Sequence, residues 1–215
     1  MRESIIQSVL ENKLIAIVRG VYGEDCVSLA AALCEGGIKL LEVTFDQSNE
    51  TLWDKTAQTI QMLNEQLGDR MTFGAGTVTS EKLVTIAKNA GAKFIVSPDC
   101  DADVIRATVA AGMVSMPGAL TPTEVLQAHK AGADFVKLFP AGNLGPGYLK
   151  SVAAPINHVK LLAVGGVNEN NIADYLKAGA VGAGVGGNLV NKEWIAQGKF
   201  DQITTLAKAF VDAVK

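Results

Sequence analysis

Lys137 and Glu42 are charged residues inside otherwise apolar segments, and each is a group that does chemistry when withdrawn from water. Lys137 lies among Phe135, Val136, Leu138 and Phe139. An ammonium there must either reach outward along its stem or be held in a low-dielectric pocket. In the pocket, burial favours the neutral amine, a nucleophile toward a ketone carbonyl, and the resulting Schiff base withdraws electrons from the adjacent carbon–carbon bond. In the outward case Lys137 is a strand-end residue whose stem covers the rim of the fold. Glu42, within LLEVTF, poses the same question. Its carboxylate serves proton transfer, which imine chemistry needs in order to form and lose a carbinolamine hydroxyl, or a buried ion pair with Lys137 or Arg19, and the two roles can coexist. A nearby ammonium lowers the carboxyl pKa and desolvation raises it.

More unusual residues recur where apolar segments end. Arg19 follows LIAIV, Thr77 lies in GAGTV, Pro98 ends FIVSP, Pro117 and Gly118 end VSMPG, Gly165 and Gly166 follow LLAV, and Gly186 and Gly187 follow GAGV. GAGTV (74–78) and AVGGVN (163–168) offer tight turns, backbone N–H groups and the Thr77 hydroxyl. Such a set suits a phosphate or carboxylate at a helix start, and it equally suits turns without a ligand. VGAGVGGN (181–188) adds Gly186, Gly187 and Asn188 before another helical segment. Taken with AVGGVN it matches the phosphate cup that loops seven and eight form in many barrels. A dinucleotide site fits poorly, because no GxGxxG follows the first strand and no GxxxxGK[ST] loop occurs.

The elements that carry these residues alternate. A helical pattern over 3–11 precedes eight short apolar segments: LIAIV (14–18), IKLLEV (38–43), MTFG (71–74), KFIV (93–96), MVSMP (113–117), DFVKLF (134–139), VKLLAV (159–164) and VGAGV (181–185). Most are too continuously apolar for half-exposed antiparallel strands, and helical patterns such as Leu29–Leu33 and Leu83–Ala87 lie between them. Gly37, Gly91, Gly112, Gly132 and Gly179 each stand just before a predicted strand, where a left-handed residue ends a helix. The expected fold is one α/β domain over residues 1–215, a (β/α)₈ TIM barrel with a short N-terminal helix; an open doubly wound sheet shares the same local grammar. In a barrel all the unusual residues point to one rim, the C-terminal ends of the strands.

Composition narrows the partners. The chain has 215 residues, 48% apolar and 19% charged, enough for one substantial core. With 22 acidic and 19 basic residues the net charge is -3, so nothing favours nucleic acid or an anionic membrane surface. No apolar run approaches the roughly 18 residues of a spanning helix, and residues 1–15 lack a signal-peptide pattern, so a soluble cytoplasmic protein is expected. Cys26, Cys34 and Cys100 have no CxxC spacing, and only His129 and His158 could join them, so neither a disulfide scaffold nor a Cys/His metal site is expected.

The sequence resembles the KHG/KDPG aldolase family, bacterial class I aldolases, over almost the whole chain. The matching stations are IVRG (17–20), EVT (42–44), GAGTV (74–78), FIVSP (94–98), MPGALTPTE (116–124), VKLFPA (136–141) and GGV (165–167). The resemblance implies that Lys137 is the Schiff-base lysine, Glu42 the general acid/base, Thr77 a pyruvate carboxylate contact, and Gly165 and Gly166 phosphate contacts. It implies cleavage of a 2-keto-3-deoxy-6-phospho sugar acid, gluconate or galactonate epimer, to pyruvate and glyceraldehyde 3-phosphate. No metal or other cofactor is implied, since the imine withdraws the electrons, and a homotrimer is.

Three positions depart from the family pattern. Asp46 stands where many members carry an arginine that holds the substrate carboxylate, a task that Arg19 can take over. Gly187 replaces a serine of the last phosphate loop, retaining a backbone donor, with Asn188 beside it as a further side-chain contact. Val164 replaces a threonine of gluconate-type members and is more like the galactonate branch. Phe139 and Pro140 are expected to shape and dry the pocket. Two rival functions are a 4-hydroxy-2-oxoglutarate aldolase yielding pyruvate and glyoxylate, and a barrel that binds phosphorylated sugar acids without turnover.

Overall fold

The computed structural model describes residues 2–215. Helix α1 (Arg2–Asn12) leads into β1 (Leu14–Val18), α2 (Gly23–Glu35) and β2 (Leu40–Thr44); a 3-10 turn at Glu50–Leu52 precedes α3 (Trp53–Leu67). The alternation continues with β3 (Thr72–Gly76), α4 (Glu81–Asn89), β4 (Phe94–Val96), α5 (Ala102–Ala110), β5 (Val114–Met116), β6 (Gly118–Ala119) and α6 (Pro122–Ala131). It ends with β7 (Val136–Leu138), α7 (Gly145–Ala153), β8 (Leu161–Val164), α8 (Ile172–Lys177), β9 (Gly182–Val185), α9 (Lys192–Ala196) and α10 (Phe200–Ala213). Every strand pairing is parallel, in the order β5-β4-β3-β2-β1-β9-β8-β7-β6.

The eight expected strand units are present, and the fifth is split. Pro117, which has no N–H, separates β5 from β6; β5 pairs with β4 and β6 with β7. Backbone bonds from Asp134 N–H to Ser115 C=O (3.0 Å) and from Lys137 N–H to Pro117 C=O (2.8 Å) carry the ladder across that break. The two ends of the sheet are therefore halves of one unit, and the sheet closes into a barrel ringed by helices. An open doubly wound sheet is ruled out. Gly37, Gly91, Gly112, Gly132 and Gly179 all have positive φ and turn the chain from helix to strand as expected.

Strand parity divides the core in two. Leu14, Ala16, Leu41, Val43, Phe73, Ile95, Val136, Leu161 and Val185 pack outward beneath the helices. Ile15, Leu40, Phe94, Val114, Phe135 and Leu162 point into the barrel, where Ile5 and Val9 of α1 join them. Helix α1 thus stoppers the N-terminal end of the barrel. Its Arg2 guanidinium donates to the Asp134 carboxylate at 2.8 Å, and Asp134 also accepts from Ser115 N–H. With that end filled, the barrel interior opens at the opposite rim.

Candidate active site

Parity also decides the direction of the two anomalous charges. Glu42 lies two residues beyond inward-facing Leu40, and Lys137 two beyond inward-facing Phe135, so both enter the barrel. They are 3% and 8% exposed. Both line one small internal chamber with Ile17, Met116, Val164 and Gly184. The outward-reaching alternative for Lys137 is thereby excluded. Among the described residues Glu42 joins no ion pair, and its Oε2 is buried without a hydrogen-bond partner. Lys137 and Arg19 therefore act on Glu42 through their charge and not through a contact ion pair.

Burial pushes the Glu42 carboxyl up to about 7, a rise that the positive charges of Lys137 and Arg19 only partly oppose. Burial likewise lowers the Lys137 pKa; the Glu42 charge opposes that shift and Arg19 reinforces it. The Lys137 ammonium also lies 4.7 Å from the centre of the Phe139 ring. A carboxyl group near neutrality beside an amine held below its ordinary pKa is a pairing suited to imine formation and proton exchange at neutral pH.

Glycines make the space. A Cβ on Gly76 would come within 2.6 Å of Glu42 Oε1, and one on Gly74 within 2.4 Å of the Phe94 ring. GAGTV therefore departs from its expected form: Gly74 and Gly76 are buried residues of β3 rather than turn donors, and what they supply is room for Glu42 and Phe94. Gly184 of β9 does the same, since a Cβ there would lie 3.0 Å from Val164 and 3.1 Å from Ile17.

Above the chamber the rim opens as a cavity of about 390 Å³ lined by Arg19, Phe139, Gly165, Gly166, Gly187 and Asn188. Ile17, Val164 and Gly184 form walls of both spaces, which joins the mouth to the buried pair. Gly165 and Gly166 have φ of 89° and 78°, and Gly142 approaches so closely that a Cβ on Gly166 would lie 2.9 Å from its Cα. No side chain could occupy that turn without displacing the strand-seven loop. The N–H groups of Gly166, Val167, Gly187 and Asn188 donate to no acceptor among the described residues, which suits them to an anion. The Asn188 amide donates to Val167 C=O at 2.9 Å, so this side chain ties the loops after β8 and β9 together. A groove of about 760 Å³ between α2 and α10, lined by Glu35, Arg70, Asp201 and Lys208, belongs to the outer helical layer and shares no residue with this site.

On the other side of the mouth, Thr77 is held at φ 56°, a left-handed conformation that is uncommon for a β-branched residue. Arg19 Nη2 donates to its hydroxyl at 3.3 Å, and Gln47 Nε2 donates to its carbonyl at 2.7 Å. Gln47 in turn accepts from the Thr79 hydroxyl at 2.8 Å. Asp46 turns into its own loop: its carboxylate accepts from Ser48 N–H and Oγ, which hold its pKa below the ordinary value. Asp46 is thus engaged in a turn, and Arg19 is the guanidinium at the mouth. Pro98 sits exposed at the rim with its carbonyl against Gly118, outside the lining of either space. The MPGALTPTE station proves to hold the N-cap of α6, with Thr121 and Glu124 bonded reciprocally. The Gln47 strut left no sequence signal, whereas the inward parity of Thr44, two residues past Glu42, was readable. No group of three or more His, Cys, Asp or Glu among the described residues could hold a metal ion, and no helix is long and apolar enough to cross a membrane.

Comparison with known proteins bears on this arrangement directly. The family model described as "Aldolase: KDPG and KHG aldolase" matches residues 5–206. The chain is 33% identical over 203 residues to 2-dehydro-3-deoxy-6-phosphogalactonate aldolase of Escherichia coli K12, covering 94% of this chain and 96% of that one. It is 34% identical over 212 residues to 2-dehydro-3-deoxy-phosphogluconate aldolase of Treponema pallidum, covering 98% of each. Among solved structures, KDPG aldolase from Legionella pneumophila, with pyruvate captured as a covalent carbinolamine, superposes with a TM-score of 0.84 at 27% identity, covering 95% of this chain and 97% of that one. A match of this extent, on a barrel whose buried lysine and glutamate share one chamber, shows that the chain belongs to the KDPG and KHG aldolase family of class I aldolases, which are carbon–carbon lyases.

Proposed function

We propose that this aldolase cleaves 2-keto-3-deoxy-6-phosphogalactonate in preference to the gluconate epimer, using Lys137 as the Schiff-base lysine and Glu42 as the general acid/base. The observation that carries the roles is the burial of both groups in one chamber beneath a glycine-rich mouth. The neutral amine of Lys137 attacks the C2 ketone, and Glu42 protonates the carbinolamine hydroxyl, which leaves as water as the iminium forms. Glu42, now a carboxylate, takes the C4 hydroxyl proton directly or through water. The C3–C4 bond breaks, glyceraldehyde 3-phosphate leaves, and its bonding electrons pass into an enamine. Protonation at C3 and hydrolysis of the iminium then free pyruvate and return the amine.

Thr77 and Arg19 hold the carboxylate of the pyruvate end, a role that Arg19 is free to fill because Asp46 is engaged with Ser48. The N–H groups of Gly166, Val167, Gly187 and Asn188 receive the phosphate, with Gly165 shaping their turn. Phe139 screens the amine from solvent. The covalent iminium is the electron sink, so the cycle needs no metal or other cofactor. The epimer assignment rests on Val164, an apolar wall of both spaces that offers the sugar hydroxyls no hydrogen bond. Three free thiols, two of them buried, suit a cytoplasmic enzyme, and the family resemblance supports a homotrimer.

Steady-state rates with both 6-phospho epimers and with 4-hydroxy-2-oxoglutarate, following pyruvate release, test the proposal. The highest kcat/KM should belong to the galactonate epimer. A preference for the unphosphorylated acid would overturn the phosphate site, and binding of a phospho sugar acid with no pyruvate formed would overturn the catalytic roles.

A further inference from the structure

Among the described residues two buried side-chain oxygens have no hydrogen-bond partner, Glu42 Oε2 and Thr44 Oγ1. They belong to alternate residues of β2, so both enter the barrel, and Thr44 is only 2% exposed. They are also neighbours: the Glu42 carboxyl carbon and Thr44 Cγ2 lie 2.8 and 3.0 Å from the point that a Cβ on Gly76 would occupy. A buried hydroxyl without a partner is costly, and a valine of the same shape would avoid that cost. The hydroxyl is left orphaned beside an equally orphaned carboxylate of the Lys137 chamber, with no hydrogen bond between the two.

We propose that the Thr44 hydroxyl is a further residue of the reaction centre, and that it and Glu42 hold the same oxygen, that of the hydroxyl lost from the carbinolamine as water. This rests on the Schiff-base roles of Lys137 and Glu42. In the forward step the Glu42 proton passes to the carbinolamine hydroxyl, the C2–O bond breaks, and the nitrogen lone pair closes the C2=N bond. The water so formed is held between Glu42 carboxylate and Thr44 Oγ1. In hydrolysis the same water, fixed by Thr44, gives a proton to Glu42 as its oxygen attacks C2. Thr44 neither gives up nor gains a proton; it fixes the oxygen's position.

The test compares Thr44→Val with Thr44→Ser in the full-length enzyme. Valine keeps the shape and deletes the hydroxyl; serine keeps the hydroxyl and deletes the methyl group. In Thr44→Val, turnover and the rate of borohydride-trappable imine formation with pyruvate should both fall by about 10-fold, the loss expected for one hydrogen bond to a reacting oxygen. Its melting temperature should hold or rise, because an unsatisfied hydroxyl has gone. Thr44→Ser should recover most of the rate even if it melts lower. A folded Thr44→Val with rates within twofold of the parent, or a serine variant as slow as the valine one, overturns the proposal; should the valine variant fail to fold, the serine rate decides. If the parent chain itself traps no pyruvate, the Schiff-base roles fall first and this inference with them.

Discussion

Gly76→Ala places a methyl group where Glu42 now lies. The added Cβ would sit 2.6 Å from Oε1, and ordinary contact begins near 3.4 Å, so the carboxylate must retreat by about 0.8 Å. It has little freedom to do so, because the Thr44 methyl is only 3.0 Å from the same point and Glu42 is 3% exposed. Overpacking of this kind costs about 1–3 kcal/mol of stability, which a domain of this size survives. Displacing a catalytic group by about 1 Å costs on the order of 10²-fold in rate. Gly76→Ala should therefore remain folded, with a lower midpoint in urea, and lose about 10²-fold in kcat with a much smaller change in KM. Gly147→Ala, in α7 with open space around the new methyl group, is the control and should change neither quantity appreciably. A folded Gly76→Ala enzyme with kcat near the parent value would refute the placement of Glu42 as the proton-transfer group.

Other outcomes follow from the same geometry. Glu42→Gln should slow turnover by about 10²–10⁴-fold, and because the Glu42 charge raises the Lys137 pKa, it should also move the acidic limit of pyruvate trapping to lower pH. Stability should move too: the Glu42 carboxyl is raised from 4.5 to about 7, so the folded state holds the extra proton and loses stability as pH climbs through that window. Urea midpoints measured from pH 5 to 8 should fall more steeply for the parent than for Glu42→Gln. Gln47→Ala removes the strut on the Thr77 carbonyl and should raise the pyruvate KM several-fold while largely sparing the imine-forming rate at saturation. Gly187→Ser enters open space, so the phosphorylated substrate should bind more tightly with the pyruvate KM unchanged, as read from paired KM values.

What the sequence disclosed followed periodicity. The strand units and the left-handed glycines were legible because continuous apolar runs and the punctuation between them mark parallel strands and helix ends, whereas the inward direction of Lys137 stayed open until the strand register was known. The break at Pro117 was not, because a single missing N–H divides a strand only when the neighbouring ladder shows where pairing stops. Gly74 and Gly76 were misread as turn donors: the same Gly-x-Gly string serves a turn or a strand that must clear a bulky neighbour, and the Phe94 ring and the Glu42 carboxylate that need the room come from other strands. The Gln47 strut and the inward turn of Asp46 depend on where two separate loops meet, which no local pattern encodes. The bond from the Asn188 side chain to Val167 C=O, which joins the loops after β8 and β9, was hidden for the same reason.

The claim on which the rest depends is that the buried amine of Lys137 is the nucleophile. Borohydride reduction in the presence of pyruvate, followed by peptide mass mapping, measures this directly. One pyruvyl adduct is expected, on the peptide containing Lys137 and absent from Lys137→Ala. An adduct on any other lysine, or none under conditions that label a known class I aldolase, would contradict it.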